Sequence, residues 1–66
     1  MRLVINGRPA EVAEGTTLPA LVEQLGLRVG SVVVEHNGTA LLRSELAAVV
    51  LHDGDRLELV RAVAGG

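Results

Sequence analysis

The residues best suited to chemistry are two glycines at the end of the sequence, Gly65 and Gly66. A terminal α-carboxyl has a pKa of about 3.3–3.7, so at neutral pH it is an unreactive carboxylate that another enzyme must activate, typically as a mixed anhydride. Glycines have no side chains and adopt almost any φ/ψ, which suits a narrow active-site channel. We therefore expect Gly66 to carry the transferable group, and Gly65, Ala64 and Val63 to thread it into a partner enzyme.

The last four residues lose the turn and strand signals that run through the rest of the chain. This change predicts a folded domain over residues 1–62 and a flexible tail over residues 63–66. Four extended residues reach at most about 13–14 Å, enough to insert the terminus while the domain docks outside. The alternative interpretation is an incidental, frayed end.

Other chemistry-bearing residues give weaker signals. His36 and His52 have no third ligand at a spacing that zinc requires, so we interpret them as solvated or strand-end histidines. Asp53 and Asp55 flank Gly54 like a fragment of a calcium loop, but an Asp-Gly turn explains them better. Catalytic triad and phosphate-loop motifs are absent from the sequence. We expect a carrier rather than an enzyme, without a metal or a bound cofactor.

Composition narrows the function further. The 66 residues allow one domain, and they include no Cys, no Lys and no aromatic residue. Without a thiol or an ε-amine, the Gly66 carboxylate is the most plausible transferable group. The net charge of −2, the absent aromatics and six arginines spread along the sequence argue against nucleic-acid binding.

Membrane association and export are not expected. The longest apolar run, residues 46–51, is far shorter than the roughly 20 residues that span a bilayer. The apolar residues near the start, Leu3 to Ile5, are fewer than the about 7–15 of a signal peptide. We expect a cytoplasmic protein.

Turn signals divide the chain into strands. Asn6-Gly7, Asn37-Gly38 and Asp53-Gly54 favour type I′ turns, and each predicts a strand on either side. Pro9 lacks an N–H group, which fits the start of a strand or an edge strand. The predicted strands are residues 2–5, 10–13, 32–36, 40–42, 49–51 and 56–63.

One convincing helix follows the first hairpin. Thr17 is a good N-cap, Pro19 fits the first turn, and Gly26 ends the helix. Leu18, Leu21, Val22 and Leu25 form one apolar stripe. Ser44 is expected to cap a single further helical turn through residue 47. With one helix to cover one face of a mixed sheet, the sequence predicts a two-layer α+β fold.

The other sheet face is predicted to combine apolar and charged residues. Period-2 alternation directs Val4, Val33 and Val60 away from the helix. The same face is predicted to carry the charged residues Arg2, Glu35, Arg56 and Glu58. Such a half-apolar, half-charged face suits partner docking. Scattered surface valines of no functional meaning are the alternative.

Over its whole length the sequence resembles the ubiquitin-like β-grasp sulfur carriers, most closely the ThiS-type carriers of thiamine biosynthesis. The matching features are Asn6-Gly7, residues 14–18 (EGTTL), residues 32–38 (VVVEHNG), Arg43 at the usual spacing, and residues 53–60 (DGDRLELV) leading to the diglycine. Two departures, Leu42 in place of the usual proline and Leu46 near a common aromatic position, concern the partner surface.

The resemblance implies a ubiquitin-like β-grasp fold and a carrier function. A ThiF-like adenylating enzyme would use ATP to adenylate Gly66, and a sulfur donor such as a cysteine desulfurase would convert it to a thiocarboxylate. A ThiG-like thiazole synthase would accept the sulfur. The alternatives are a carrier for molybdopterin synthesis or tRNA thiolation, a ubiquitin-like protein modifier, and a plain interaction module.

Overall fold

A computed structural model describes residues 1–62 of the chain. The predicted tail, residues 63–66, lies outside the described residues. Five strands, one α-helix and two short 3₁₀ helices follow in the order β1 (Arg2–Ile5), β2 (Arg8–Glu11), α1 (Leu18–Gln24), the first 3₁₀ helix (Val29–Ser31), β3 (Val32–His36), β4 (Thr39–Leu41), the second 3₁₀ helix (Arg43–Ala48) and β5 (Arg56–Arg61).

All five strands belong to one mixed sheet in the order β2-β1-β5-β3-β4. β5 pairs parallel with β1 and antiparallel with β3, while the two outer strands close antiparallel hairpins. The last strand in sequence is therefore the central strand of the sheet. The mixed sheet with one helix against one face confirms the predicted α+β architecture.

Helix α1 covers the sheet through its apolar face. Leu18, Leu21 and Val22 are each at most 3 % exposed, and Thr17 caps the helix by accepting a 3.3 Å hydrogen bond from the Ala20 N–H. Burying three such side chains contributes roughly 1.5–3 kcal/mol each before entropy. The prediction for Leu25 was wrong: α1 ends at Gln24, so Leu25 is the C-cap residue and is 45 % exposed.

Two of the three predicted turns have the type I′ geometry. Asn6 and Asn37 both have φ of 50°, and the glycine after each also has positive φ. These two-residue turns set the hairpin registers, so β2 and β4 begin earlier than expected, with Ile5 opposite Arg8 and His36 opposite Thr39. β2 is an edge strand, which accommodates Pro9 as predicted.

Residues 49–51 do not form the predicted strand. The sheet position beside β1 is occupied by β5, and the turn before β5 bonds β1 directly: the Arg2 N–H donates to Asp53 Oδ1 at 2.6 Å and the Gly54 N–H to the Arg2 carbonyl at 2.7 Å. The segment instead closes the core, where Leu51 is 8 % exposed.

The second 3₁₀ helix differs from its prediction in extent and in its cap. It runs from Arg43 to Ala48, beginning one residue before Ser44. Glu45 organises its start, because its carboxylate accepts a 2.6 Å hydrogen bond from the Leu42 N–H while its own N–H donates to the Leu42 carbonyl. Among residues 1–62, no helix has the length and apolar character needed to cross a membrane.

Candidate functional site

The site begins where β5 ends. Arg61 pairs with Val32 of β3, and the Ala62 N–H donates a 2.8 Å hydrogen bond to the Ser31 carbonyl. The chain is therefore held to the sheet through Arg61 and to the end of the first 3₁₀ helix at residue 62. The predicted group-carrying residue Gly66 and the threading residues Gly65, Ala64 and Val63 lie outside the described residues.

The predicted docking residues share one exposed sheet face. In the β3–β5 register, Val33 lies opposite Val60, and Glu35 lies opposite Glu58. On the other side of β5, Val4 of β1 lies opposite Arg56. Val33 and Val60 are 49 % and 59 % exposed, and Val4 is half-buried. The period-2 alternation thus assigned all five side chains to the correct face.

Leu42, which is not among the predicted docking residues, adds exposed apolar surface beside this face. β4 ends at Leu41, which lies opposite Val34, and Leu42 follows in extended backbone as the residue before the second 3₁₀ helix. Leu42 is 68 % exposed. We call the pair Val33 and Val60, which face each other across β3 and β5, together with the exposed Leu42 just after β4, the apolar row. The available signal was Leu42 itself, an apolar residue at the end of the short strand predicted over residues 40–42.

Beside the apolar row lies an acidic pair. Glu35 and Glu58 are directly opposite on neighbouring antiparallel strands, and both are exposed. Like charges in this arrangement are mutually destabilising. Within residues 1–62, neither carboxylate has a cationic group within 4.0 Å. The face therefore presents two carboxylates that form no direct ion pair among residues 1–62, beside apolar surface.

A polar network fixes the other end of β5. Oδ2 of Asp55 accepts hydrogen bonds from His36 Nε2 at 2.8 Å and from the His52 N–H at 2.9 Å, and Oδ1 accepts from Asn37 Nδ2 at 3.1 Å. Burial by itself raises the pKa of Asp55, but the hydrogen bonds from His36, His52 and Asn37 outweigh it and lower the pKa from 3.8 to about 2. Asp55 is thus a fully engaged carboxylate at neutral pH.

This network joins the β3–β4 turn to the start of β5. Asn37 accepts from the Arg56 N–H through its Oδ1 at 2.8 Å and donates its own N–H to the Arg56 carbonyl at 2.8 Å. His36 lies at a strand end, as predicted, but it is paired with Asp55 rather than solvated. Within residues 1–62, no three His, Cys, Asp or Glu side chains are grouped as a metal site would require.

The opposite turn of the sheet is tied to β5 in a similar way. The Asn6 side chain accepts from the Leu59 N–H at 2.7 Å and donates to the Leu59 carbonyl at 3.2 Å, while the Asn6 backbone donates to Leu57. The two Asn-Gly turns therefore hold β5 from both sides. Their side-chain contacts are structural, which leaves the open sheet face and the end of β5 as the candidate functional surface.

A helix-backed mixed sheet with a central C-terminal strand is the ubiquitin-like β-grasp fold, and its site is the end of that strand with the adjoining sheet face. The sequence profile of the ThiS family matches residues 3–66. The chain therefore belongs to the ThiS family.

Individual relatives agree with this assignment. Sulfur carrier protein ThiS of Escherichia coli is 30 % identical, with the whole of both chains covered. The crystal structure of a thiamine biosynthesis protein (ThiS) from Geobacter metallireducens superposes with a TM-score of 0.83 at 35 % identity, also over the whole of both chains.

A third similarity is to a longer protein. A thiazole synthase of Paramagnetospirillum magneticum is 39 % identical over 66 residues, which are 100 % of this chain and 20 % of that protein. The chain thus spans about a fifth of the length of that relative.

Proposed function

We propose that the protein is a sulfur carrier of thiamine biosynthesis, with Gly66 as the sulfur-carrying terminus. The observation that carries the proposal is the match of the ThiS family profile through residue 66, which includes the diglycine. The relatives named as sulfur carriers support the same role. In this role the chain is a co-substrate of partner enzymes and not itself a catalyst.

The chemistry takes place on the terminal carboxylate. A ThiF-like enzyme binds ATP, and a Gly66 carboxylate oxygen attacks the α-phosphorus, so that pyrophosphate leaves and an acyl-adenylate forms. Sulfide-level sulfur, delivered by a donor such as a cysteine desulfurase with a thiol reductant, then attacks the acyl carbon and displaces AMP. The product is a thiocarboxylate in which one carboxylate oxygen has been replaced by sulfur.

The described residues support this role in two ways. The Ala62–Ser31 hydrogen bond holds the last described residue to the first 3₁₀ helix, so the reacting carbonyl carbon of Gly66 is four residues beyond a fixed point. The exposed face of Val33, Val60, Glu35 and Glu58, with Val4 at its border, offers a docking surface near that point. We assign this face to contact with the activating enzyme.

The sulfur acceptor that we propose is a thiazole synthase. Two proteins named thiazole synthase each contain a segment 38–39 % identical to this entire chain. A carrier-like segment within such a protein supports a close functional connection between the two. Carriage of sulfur for molybdopterin or tRNA thiolation, and protein modification through Gly66, are the competing functions.

The test is intact-mass measurement after incubation with ATP, a ThiF-like enzyme and a sulfur source. We expect one oxygen to be replaced by one sulfur in the wild type, and no replacement when Gly66 is deleted or when one alanine follows it. Both variants should melt at the wild-type temperature. The matched control is the extended variant after a carboxypeptidase has removed the alanine, which should recover full conversion.

Two results would contradict the proposal. Wild-type conversion of the extended variant would show that the terminus is not the acceptor of sulfur. High-mass conjugates in place of the thiocarboxylate would favour a protein modifier. Addition of thiazole synthase together with the substrates into which it builds the sulfur should return the wild-type thiocarboxylate to the carboxylate, and failure of that step would remove thiazole synthase as the acceptor.

A further inference from the structure

The fold gathers positive charge that is dispersed in the sequence. Three of the six arginines lie around the first 3₁₀ helix. Arg28 immediately precedes this helix, Arg61 pairs with Val32 immediately after it, and the Arg43 guanidinium packs over Gly30 in its middle, where an added Cβ would meet Nη1 at 3.1 Å. These three arginines are 15 and 18 positions apart in the sequence, so they are dispersed there and come together only in the fold.

Two of these arginines border an open groove. The groove has a volume of about 370 Å³ and is lined by Gly26, Leu27, Arg28, Ser31, Arg61 and Ala62. Among residues 1–62, no carboxylate lies within 4.0 Å of the Arg28 or Arg61 guanidinium, whereas Arg2 pairs with Glu11 at 3.1 Å. A protein of net charge −2 therefore carries one groove whose positive charge is not neutralised by the described residues.

The position of this groove relates it to the terminus. Ala62 lines the groove, and its N–H is held by the carbonyl of Ser31, another lining residue. A ligand in the groove would therefore lie beside Ala62, the last described residue before residues 63–66. The groove therefore lies where a partner enzyme that receives the terminus would surround the chain.

We propose that the groove binds an acidic segment, rich in Asp and Glu, of the enzyme that adenylates Gly66. This inference rests on the proposed function and adds the chemistry of the partner surface. Guanidinium groups bind carboxylates through paired N–H donors, and two of them on one groove favour a segment with more than one carboxylate. A protein segment is favoured over free phosphate because the groove is open and continuous with the chain that must enter the partner.

Charges at the rim of an interface act mainly on association rate and salt dependence. The double variant R28Q/R61Q should therefore raise the KM for the carrier in the adenylation reaction by about 10-fold at low ionic strength, with kcat at saturation nearly unchanged. The difference from the wild type should shrink as salt is added. Arg43 is left intact because it packs on Gly30.

The matched control is R8E. It changes the net charge by the same two units, and Arg8 is exposed on the edge strand β2 at the far side of the sheet. We expect R8E to leave the KM within about 2-fold of the wild type. Equal KM values and equal salt dependence for R28Q/R61Q and R8E, with both variants melting like the wild type, would overturn the groove assignment while leaving the sulfur-carrier function intact.

A second measurement does not depend on the partner enzyme. In NMR titrations with a hexaglutamate peptide, the amide signals of Gly26, Leu27, Ser31 and Ala62 should shift, and these shifts should disappear in R28Q/R61Q. Shifts with inorganic pyrophosphate but not with the peptide would overturn the proposal in favour of a phosphate site. If the peptide binds but the wild type is never adenylated, the proposed function fails and the groove assignment to acidic segments remains.

Discussion

The two ends of β5 are built in opposite ways. At its start, the Asp55 carboxylate accepts three hydrogen bonds and Asn37 bonds both backbone groups of Arg56. At its end, the chain is held by backbone contacts: Arg61 pairs with Val32, and the Ala62 N–H donates to the Ser31 carbonyl. One end uses its polar groups to fix the strand, whereas the other leaves its surroundings open to a partner.

The charged side chains near the start and near the end of β5 differ in the same way. In the network at the start of β5, the Asp55 side chain is 12 % exposed and its partner His36 20 %. In the middle of β5, Glu58 lies opposite Glu35, and near its end Arg28 and Arg61 border a groove; among residues 1–62 none of these four side chains has an oppositely charged group within 4.0 Å. The polar groups at the start of β5 therefore stabilise the fold, whereas the charged groups near its end are free to bind a partner.

The largest effect on stability is expected at the fixed end. Asp55→Ala removes three hydrogen bonds and leaves donors of His36, Asn37 and His52 without their acceptor, so we expect a loss of about 2–4 kcal/mol of unfolding free energy. In a domain of this size the melting temperature should fall by roughly 10–20 °C. Denaturant unfolding measures the change.

Its matched control lies three residues further along the chain, within β5. Glu58→Ala removes a carboxylate that opposes Glu35, so its unfolding free energy should stay within about 0.5 kcal/mol of the wild type. If Asp55→Ala were equally mild, the two ends would not differ in the way that the hydrogen bonds indicate.

The pH dependence should follow the fixed end as well. The folded pKa of Asp55 is lowered to about 2 from an ordinary 3.8. Its ionised form is therefore favoured by folding, and this stabilisation is present above pH 4 and lost as the pH falls toward 2. After allowance for solvent screening we expect about 1–2 kcal/mol to disappear over that range, measured by urea unfolding. Asp55→Ala should show a correspondingly flatter profile.

The smallest effect is expected at the open end, and on binding rather than on folding. Val60→Ser makes the apolar row more polar and should raise the KM for the activating enzyme about 5-fold, which corresponds to ~1 kcal/mol. Val50→Ser is the control, because Val50 is also an exposed valine, at 69 %, but lies outside the sheet. Equal KM values for the two variants would mean that partners do not dock on this face.

Local signals predicted much of the fold. β1 and β3 have the predicted bounds, and Thr17 and Pro19 begin the helix as expected, because alternation, capping and the rigidity of proline act over a few residues. The errors arise where contacts with residues distant in the sequence determine the structure. Residues 49–51 look like a strand, but β5 takes the place beside β1, and Leu25 continues the apolar stripe past the point where α1 ends.

The same limit applies to the candidate site. Alternation was enough to assign Val33, Glu35, Glu58 and Val60 to one face. It gave no indication that Asp55 would bond His36, 19 residues away, or that Arg28 and Arg61 would border one groove. Those contacts depend on strand order, which no single segment of the sequence specifies. The role of Gly66 stays a prediction that the mass measurement will test.

The central position of β5 also has a consequence for biosynthesis. The β1–β2 and β3–β4 hairpins form from local sequence, but they share no strand pairing until residues 56–61 insert between them. Such long-range closure is the slow part of folding. On the ribosome, the two halves of the sheet therefore remain separate until the final strand emerges, so a truncated chain that ends before β5 lacks the folded surface that partners would recognise.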